Sequence, residues 1–231
     1  MVIQKYEVLL FDLDNTLFDF EAAEKEALIA TKEKLNSELT YEVFHDLYQS
    51  VNKPLWEALE RGEISSGEIK TERFIRLIEK LNSNHDPIEI SEFYTARLGE
   101  GIHPIPDALE VVEQLSSRYE LVALTNGIQK VQESRMSRSP IGKFFKHLVI
   151  SEAVGYSKPE PEIFDKALSL VKTTEKTKAL MIGDSLKADI EGAYKFGIDA
   201  IWVNLKSVKS PQNPTYIAQV NHLKDLLSIL I

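Results

Sequence analysis

In the stretch VLLFDLDNTLFDF, Val8 to Phe20, a short apolar run ends in two acids one residue apart, Asp12 and Asp14. Like charges so close raise each other's pKa, so the pair calls for a cation, a shared proton or a chemical task. One such task combines a nucleophile or metal ligand with a general acid/base. The alternative is a polar turn after a strand, the commoner meaning of a lone Asp-x-Asp. A second acidic pair, Asp184 and Asp189, lies in GDSLKAD. Asp189 sits about one turn into the following helix, which faces it back toward the same edge. Asp184 or Ser185 also suits a helix cap, and capping is compatible with metal binding. Clustered carboxylates in a chain with no cysteine suit a hard cation with oxygen ligands, Mg²⁺ first among them.

Two further segments carry complementary groups. LTNG, Leu124 to Gly127, offers the Thr125 hydroxyl and consecutive backbone N–H groups at a strand-to-helix turn, a ready anion nest. Thr and Asn also occur in turns for structural reasons alone. Lys158, in GYSKPEPEIF, is held extended by Pro159 ahead of a helix. Its ammonium can neutralise an oxyanion and shield the acids from each other, although most lysines before helices are solvated. The five histidines, His45, His85, His103, His147 and His222, have no ligand spacing, and neither GxGxxG nor a Walker A motif occurs. Phe20, Tyr41, Phe44, Tyr48, Trp56 and Phe74 can line a slot, but most of them are expected to pack helices together.

The elements that must position these groups follow from periodicity. YEVLLFDLD reads as a buried strand. From Glu21 the pattern turns helical, with segments around 21–38, 40–60, 66–82 and 88–99, punctuated by Pro54, RGEISSGE and NSNHDP. After GIHPIPDA, strands and helices alternate: helix DALEVVEQLSSR, strand YELVALTNG, helix KVQESRMSR, strand HLVISE, helix EIFDKALSLVK, strand KALMIGDS, helix KADIEGAYKFG, strand DAIWVN and a final helix in VNHLKDLLSILI. Such alternation implies an α/β fold, a Rossmann-like parallel sheet with helices on both faces and an all-helical insertion. In open parallel sheets, sites form beyond the carboxyl ends of strands. Asp12, Thr125, Lys158 and Asp184 all fall there. Residues 1–19 and 98–231 are thus expected to form the core domain and residues 20–97 the helical domain.

The chain has 231 residues, 43% hydrophobic and 27% charged, as expected of a globular protein with a substantial core. Its net charge of −9 argues against a polymeric nucleic acid as partner, though not against a small anion held by a cation and a lysine. No apolar run is long enough for a membrane span, and Lys5, Glu7, Asp12 and Asp14 interrupt any signal-peptide core. A cytoplasmic location is expected; oligomeric state cannot be read from the chain.

Taken in order, FDLDNTL, LTNG, SKPEPEIF and IGDSLKAD resemble the motifs of the haloacid dehalogenase (HAD)-like hydrolase superfamily over nearly the whole chain. The helical insertion is similar to that family's C1-type cap. The resemblance implies that Asp12 is the nucleophile and Asp14 the general acid/base. It further implies that Thr125 and the Asn126 N–H hold a phosphoryl group that Lys158 orients. Mg²⁺ would be bound by Asp12, the Asp14 main-chain carbonyl and Asp184, with Asp189 binding it or supporting it. Dehalogenase members lack an acid at the position of Asp14, so the expectation is a phosphomonoesterase acting through an aspartyl-phosphate on a small phosphorylated metabolite. The motifs look closest to nucleotidase-type members, including pyrimidine 5'-nucleotidases. N-acylneuraminate- or phosphoglycolate-type phosphatases, a β-phosphoglucomutase-like phosphomutase and, more distantly, a receiver-type phosphoacceptor domain remain as alternatives.

Overall fold

The structure, a computed structural model, describes residues 5–173, 175–212 and 215–231; Met1 to Gln4, assigned above to the core, lie outside the described residues. Six strands form one parallel sheet in the order β3-β2-β1-β4-β5-β6: β1 (Val8–Phe11), β2 (Glu120–Thr125), β3 (His147–Ile150), β4 (Ala179–Gly183), β5 (Asp199–Val203) and β6 (Ala218–Val220). The chain winds outward from β1 to β3, then crosses back to place β4 on the other side of β1. That reversal opens a crevice beyond the carboxyl ends of β1 and β4, where Asp12 and Asp184 lie.

Side chains alternate across the sheet, as a strand period of two requires. Leu9, Phe11, Leu180, Ile182, Ile201 and Val203 join the core on one face. That face is covered by α5 (Ala108–Ser116) and α10 (Asp225–Leu230), which supply Val111, Leu115 and Leu226. Val8, Leu10, Met181, Ala200 and Trp202 join the core on the other, under α8 (Pro161–Leu168) and α9 (Gly192–Phe196). Both faces are covered, which explains why the strands read as unbroken apolar runs.

Between β1 and α5 come α1 (Phe20–Lys34), α2 (Tyr41–Glu60), α3 (Ser66–Lys80) and α4 (Pro87–Glu100). They bury a core of their own, in which Phe44, Tyr48, Phe74 and Tyr94 are fully enclosed. Their starts follow ordinary capping chemistry: the side chains of Asp19, Thr40 and Asp86 accept N–H bonds from the first turns, and Ser65 with Glu68 forms a capping box. Val131 and Ile128, at the start of α6 (Gln129–Arg138), join this core and dock the four helices onto the sheet domain.

Three local readings are corrected. Pro54 lies inside α2 and does not break it. The tail holds the short strand β6 before its helix, because Ala218–Val220 pairs with Ile201–Val203 at the sheet edge. A four-residue helix, α7 (Ser151–Val154), follows β3 directly. Both missed elements are too short to show a period. No helix among the described residues is long and apolar enough to cross a membrane.

Candidate active site

After β1 the chain makes a tight turn closed by Asn15, whose φ of 62° is tolerated by Asn better than by most residues. Asn15 N–H donates to the Phe18 carbonyl at 2.6 Å, and Leu17 and Phe18 both donate to the Leu13 carbonyl. Leu13 and Leu17 point into the core, while Asp14 and Asn15 between them border the crevice. Asp12 is tied to β4 through its N–H to the Ile182 carbonyl at 2.9 Å, and its Oδ2 accepts from Thr16 Oγ1 at 3.1 Å.

Lys158 enters from the loop before α8 and is only 2% exposed. Its Nζ lies 2.6 Å from Asp12 Oδ1 and 2.7 Å from Asp189 Oδ1. The loop is held by Asn126, whose Oδ1 accepts from Lys158 N–H and whose Nδ2 donates to the Lys158 carbonyl, both at 2.8 Å. Two segments far apart in the chain are thereby locked together by one amide side chain. Asp189 is fully buried and reaches the site on a π-type turn, Leu186–Glu191, where its Oδ2 accepts from Ser185 N–H at 2.9 Å. A Cβ on Gly183 would stand 2.3 Å from Asp189 Oδ2, so only glycine at the end of β4 admits this carboxylate. Asp184 follows, its carbonyl accepting from Trp202 Nε1 at 2.8 Å.

Carboxylate oxygens of Asp12, Asp184 and Asp189 lie within 4.8 Å of one another. Burial pushes Asp12 up to about 7; Lys158 pulls against that shift, and Asp189 and Asp14 add to it. Burial, then repulsion from Asp12 and Asp189, pushes Asp184 up to about 8. Burial alone would lower the Lys158 ammonium, but Asp12 and Asp189 outweigh it and hold it above its ordinary value. One lysine thus faces three crowded acids. The donor set is all oxygen, converges on one point and carries excess negative charge, which fits a hard divalent cation such as Mg²⁺.

Asp12, Thr125, Asn126, Lys158, Asp184 and Asp189 gather at one rim, and together with Asp14 they border a cavity of about 390 Å³. Asp14 itself is turned toward α6. Arg135 Nη1 lies 2.5 Å from its Oδ1, and Gln132 Nε2 donates to its Oδ2 at 2.6 Å. The same amide reaches Thr125 Oγ1 at 3.3 Å, and Gly127 N–H donates to that hydroxyl at 3.0 Å. Sequence reasoning missed Gln132 and Arg135. Their signal was nonetheless present. Ile128, Val131, Gln132, Arg135 and Met136 occupy the i, i+3, i+4, i+7, i+8 positions of a buried helical face, and two of the five are polar. The far wall of the cavity was missed as well: Glu24, Gln49, Asn52 and Arg73, with Phe20 and Trp56 the only two members of the aromatic set to border it.

Residues 9–203 match the sequence pattern of the haloacid dehalogenase-like hydrolases. The chain is 36% identical over 229 residues to the pyrimidine 5'-nucleotidase PynA of Streptococcus pneumoniae, covering 97% of this chain and 95% of that one. It is 32% identical over 226 residues to the pyrimidine 5'-nucleotidase YjjG of Escherichia coli, covering 96% and 98%. A crystal structure of the HAD-hydrolase YfnB from Bacillus subtilis, bound to magnesium, superposes with a TM-score of 0.88 at 32% identity, covering 98% of this chain and 99% of that one. A strand-end acid cluster at the switch point, a match running through most of the sheet domain and relatives aligned end to end agree: this chain belongs to the haloacid dehalogenase-like hydrolases.

Proposed function

We propose that the chain is a Mg²⁺-dependent phosphomonoesterase that hydrolyses a pyrimidine nucleoside 5'-monophosphate through an aspartyl-phosphate. The observation that carries this is the Lys158 ammonium seated on Asp12, with Asp184 and Asp189 completing an all-oxygen cluster at one end of a cavity large enough for a nucleotide. The two nucleotidase relatives, aligned over nearly their whole lengths, support the leaving group.

In this reading Asp12 Oδ attacks phosphorus, and the nucleoside oxygen departs. The Thr125 hydroxyl and the Asn126 N–H receive the phosphoryl oxygens, and Lys158 offsets their charge. Asp12, the Asp14 carbonyl and Asp184 would hold Mg²⁺, with Asp189 binding or supporting it; the ion supplies charge neutralisation between nucleophile and phosphate. Asp14 donates a proton to the leaving oxygen, then accepts one from the water that cleaves the acyl phosphate. Residues 20–97 act as the cap, bringing their polar wall over the leaving group.

Phosphate release from p-nitrophenyl phosphate and from UMP or CMP tests this. Both are expected to need Mg²⁺, to stop with EDTA, and to fall about 10⁶-fold in Asp12→Asn, as for loss of other covalent nucleophiles. Release that survives EDTA or Asp12→Asn overturns the mechanism. Hydrolysis of sugar phosphates but no nucleotide overturns the substrate.

A further inference from the structure

The wall opposite the carboxylates contains a cation that is not satisfied. Arg73, on α3, is 1% exposed, and its guanidinium lies 4.7 Å from the centre of the Tyr94 ring and 5.3 Å from that of Phe74. Only Nη1 is bonded, to Tyr48 Oη at 3.1 Å and Asn52 Oδ1 at 3.4 Å; Nε and Nη2 have no partner. Those two nitrogens form one edge of the guanidinium fork. Arg61 of this same chain uses that edge on a carboxylate, with Nε 2.7 Å and Nη2 2.9 Å from the two oxygens of Glu63. Both nitrogens are closed off from solvent, yet Arg73 borders the cavity; buried N–H groups are rarely left unpaired, so a small side-chain shift that opens this edge to the cavity makes a site for a planar acceptor.

Arg73 is not alone. Glu24, on α1, is 7% exposed and borders the same cavity. Its Oε2 accepts from Gln49 Nε2 at 3.0 Å, and its Oε1 has only a long bond, 3.5 Å, from Tyr94 Oη. The fork would suit a carboxylate, but a buried carboxylate in the same wall already balances its charge and repels a second one. A neutral group offering acceptor and donor on one edge satisfies both residues.

We propose that Arg73 and Glu24 are the specificity-determining residues of a base subsite. The Arg73 fork donates to the ring carbonyl of a pyrimidine, and Glu24 accepts from a ring or exocyclic N–H. Phe20 and Trp56, at the border of the same cavity, give the ring an apolar edge. The proposal rests on the nucleotidase reading above and adds that selectivity comes from this pair and acts against acidic leaving groups. Phosphoglycolate, which carries a carboxylate where a nucleotide carries its base, is the informative competitor.

The experiment compares kcat/KM for CMP, UMP, phosphoglycolate and p-nitrophenyl phosphate in wild type, Arg73→Lys and Glu24→Gln. Arg73→Lys keeps the charge and removes the fork. It is expected to lower the ratio of CMP or UMP to p-nitrophenyl phosphate about 10–100-fold, the worth of hydrogen bonds to a charged group. Glu24→Gln is expected to raise the ratio of phosphoglycolate to nucleotide. Cytidine and uridine, which lack phosphate, are expected to inhibit wild-type p-nitrophenyl phosphate hydrolysis competitively and to do so more weakly in Arg73→Lys. Should Arg73→Lys fail to fold, the wild-type panel and nucleoside inhibition still decide. Nucleotide turnover with unmoved ratios in both variants, or wild-type preference for phosphoglycolate over nucleotides, overturns the proposal. Turnover of p-nitrophenyl phosphate with no nucleotide accepted defeats the nucleotidase reading itself.

Discussion

The two ends of the cavity bury charge in opposite ways. At the sheet rim, Lys158 is bonded to two carboxylates and Asp14 to both Arg135 and Gln132. At the cap wall, Arg73 makes contacts through one nitrogen and leaves two idle. The rim is cross-braced by direct ion pairs, with Arg135 Nη2 and Gln132 Oε1 left unpaired beside them, whereas at the wall the whole Nε/Nη2 edge of Arg73 is idle and, on the proposal above, is completed by a ligand. On the proposed function, the chemistry common to all substrates is preorganised at the rim, and recognition of one leaving group is left to the unfilled valence of the wall.

The contrast makes its largest prediction at Lys158. Replacing it with Met strands Asp12 and Asp189 as buried, uncompensated acids. Removing one partner of a buried pair costs about 3–5 kcal/mol. At the 2–4 °C per kcal/mol of a chain this size, Lys158→Met is expected to melt roughly 6–20 °C lower in metal-free buffer. Mg²⁺ should recover part of that loss, since a cation at the cluster replaces the missing charge. Arg73→Met, at the equally buried but half-bonded cation, is expected to lose distinctly less. Equal losses in the two thermal melts would erase the distinction between the ends.

How much of this was legible beforehand follows the same division. Asp12, Thr125, Lys158 and Asp184 sit at or beyond strand ends, and a parallel sheet sends every strand end to one edge; knowing the fold class was enough to bring them together. Asn126 was read for its N–H, yet its side chain latches the Lys158 loop, a contact 32 positions distant that no local pattern announces. Arg73 and Glu24 lie on amphipathic helices amid charged neighbours. Which of α3's charges turns inward depends on how four helices pack, and helical periodicity supplies a face, not a partner. Arg135 was legible in principle, since a polar residue fills an apolar position of α6, but its partner is 121 positions away.

A smaller effect is expected at Arg135. Its Nε reaches the Leu98 carbonyl at 3.3 Å, near the end of α4, and its guanidinium stands 5.7 Å from the Phe20 ring at the start of α1. It therefore holds Asp14 and lies beside both chain crossings into the four-helix segment. Arg135→Gln removes one of the two side chains that fix Asp14, leaving Gln132, and does not touch the turn at residues 125–127. It should lower kcat about 10–100-fold, within the usual range for disturbed acid–base catalysis, and leave KM for p-nitrophenyl phosphate within about threefold. A rise in KM with kcat preserved would place Arg135 in substrate binding instead.

The smallest effect separates the two ends by pH alone. Burial raises the Glu24 pKa above its ordinary value of 4.5, with Arg73, His45, Gln49 and Tyr94 opposing the shift. The sign follows from linkage: a carboxyl whose folded pKa is raised lends its stability below the unfolded value, and that stability is lost as pH climbs through the folded value. Above pH 4.5 wild type thus comes to carry a buried charge that Glu24→Gln lacks. The melting temperature of Glu24→Gln relative to wild type is expected to climb from pH 4 to pH 8, by about 2–4 °C for each kcal/mol of that cost. A difference that stays flat across the range would mean that Arg73 compensates Glu24 fully, and the cap wall would then be as self-contained as the rim.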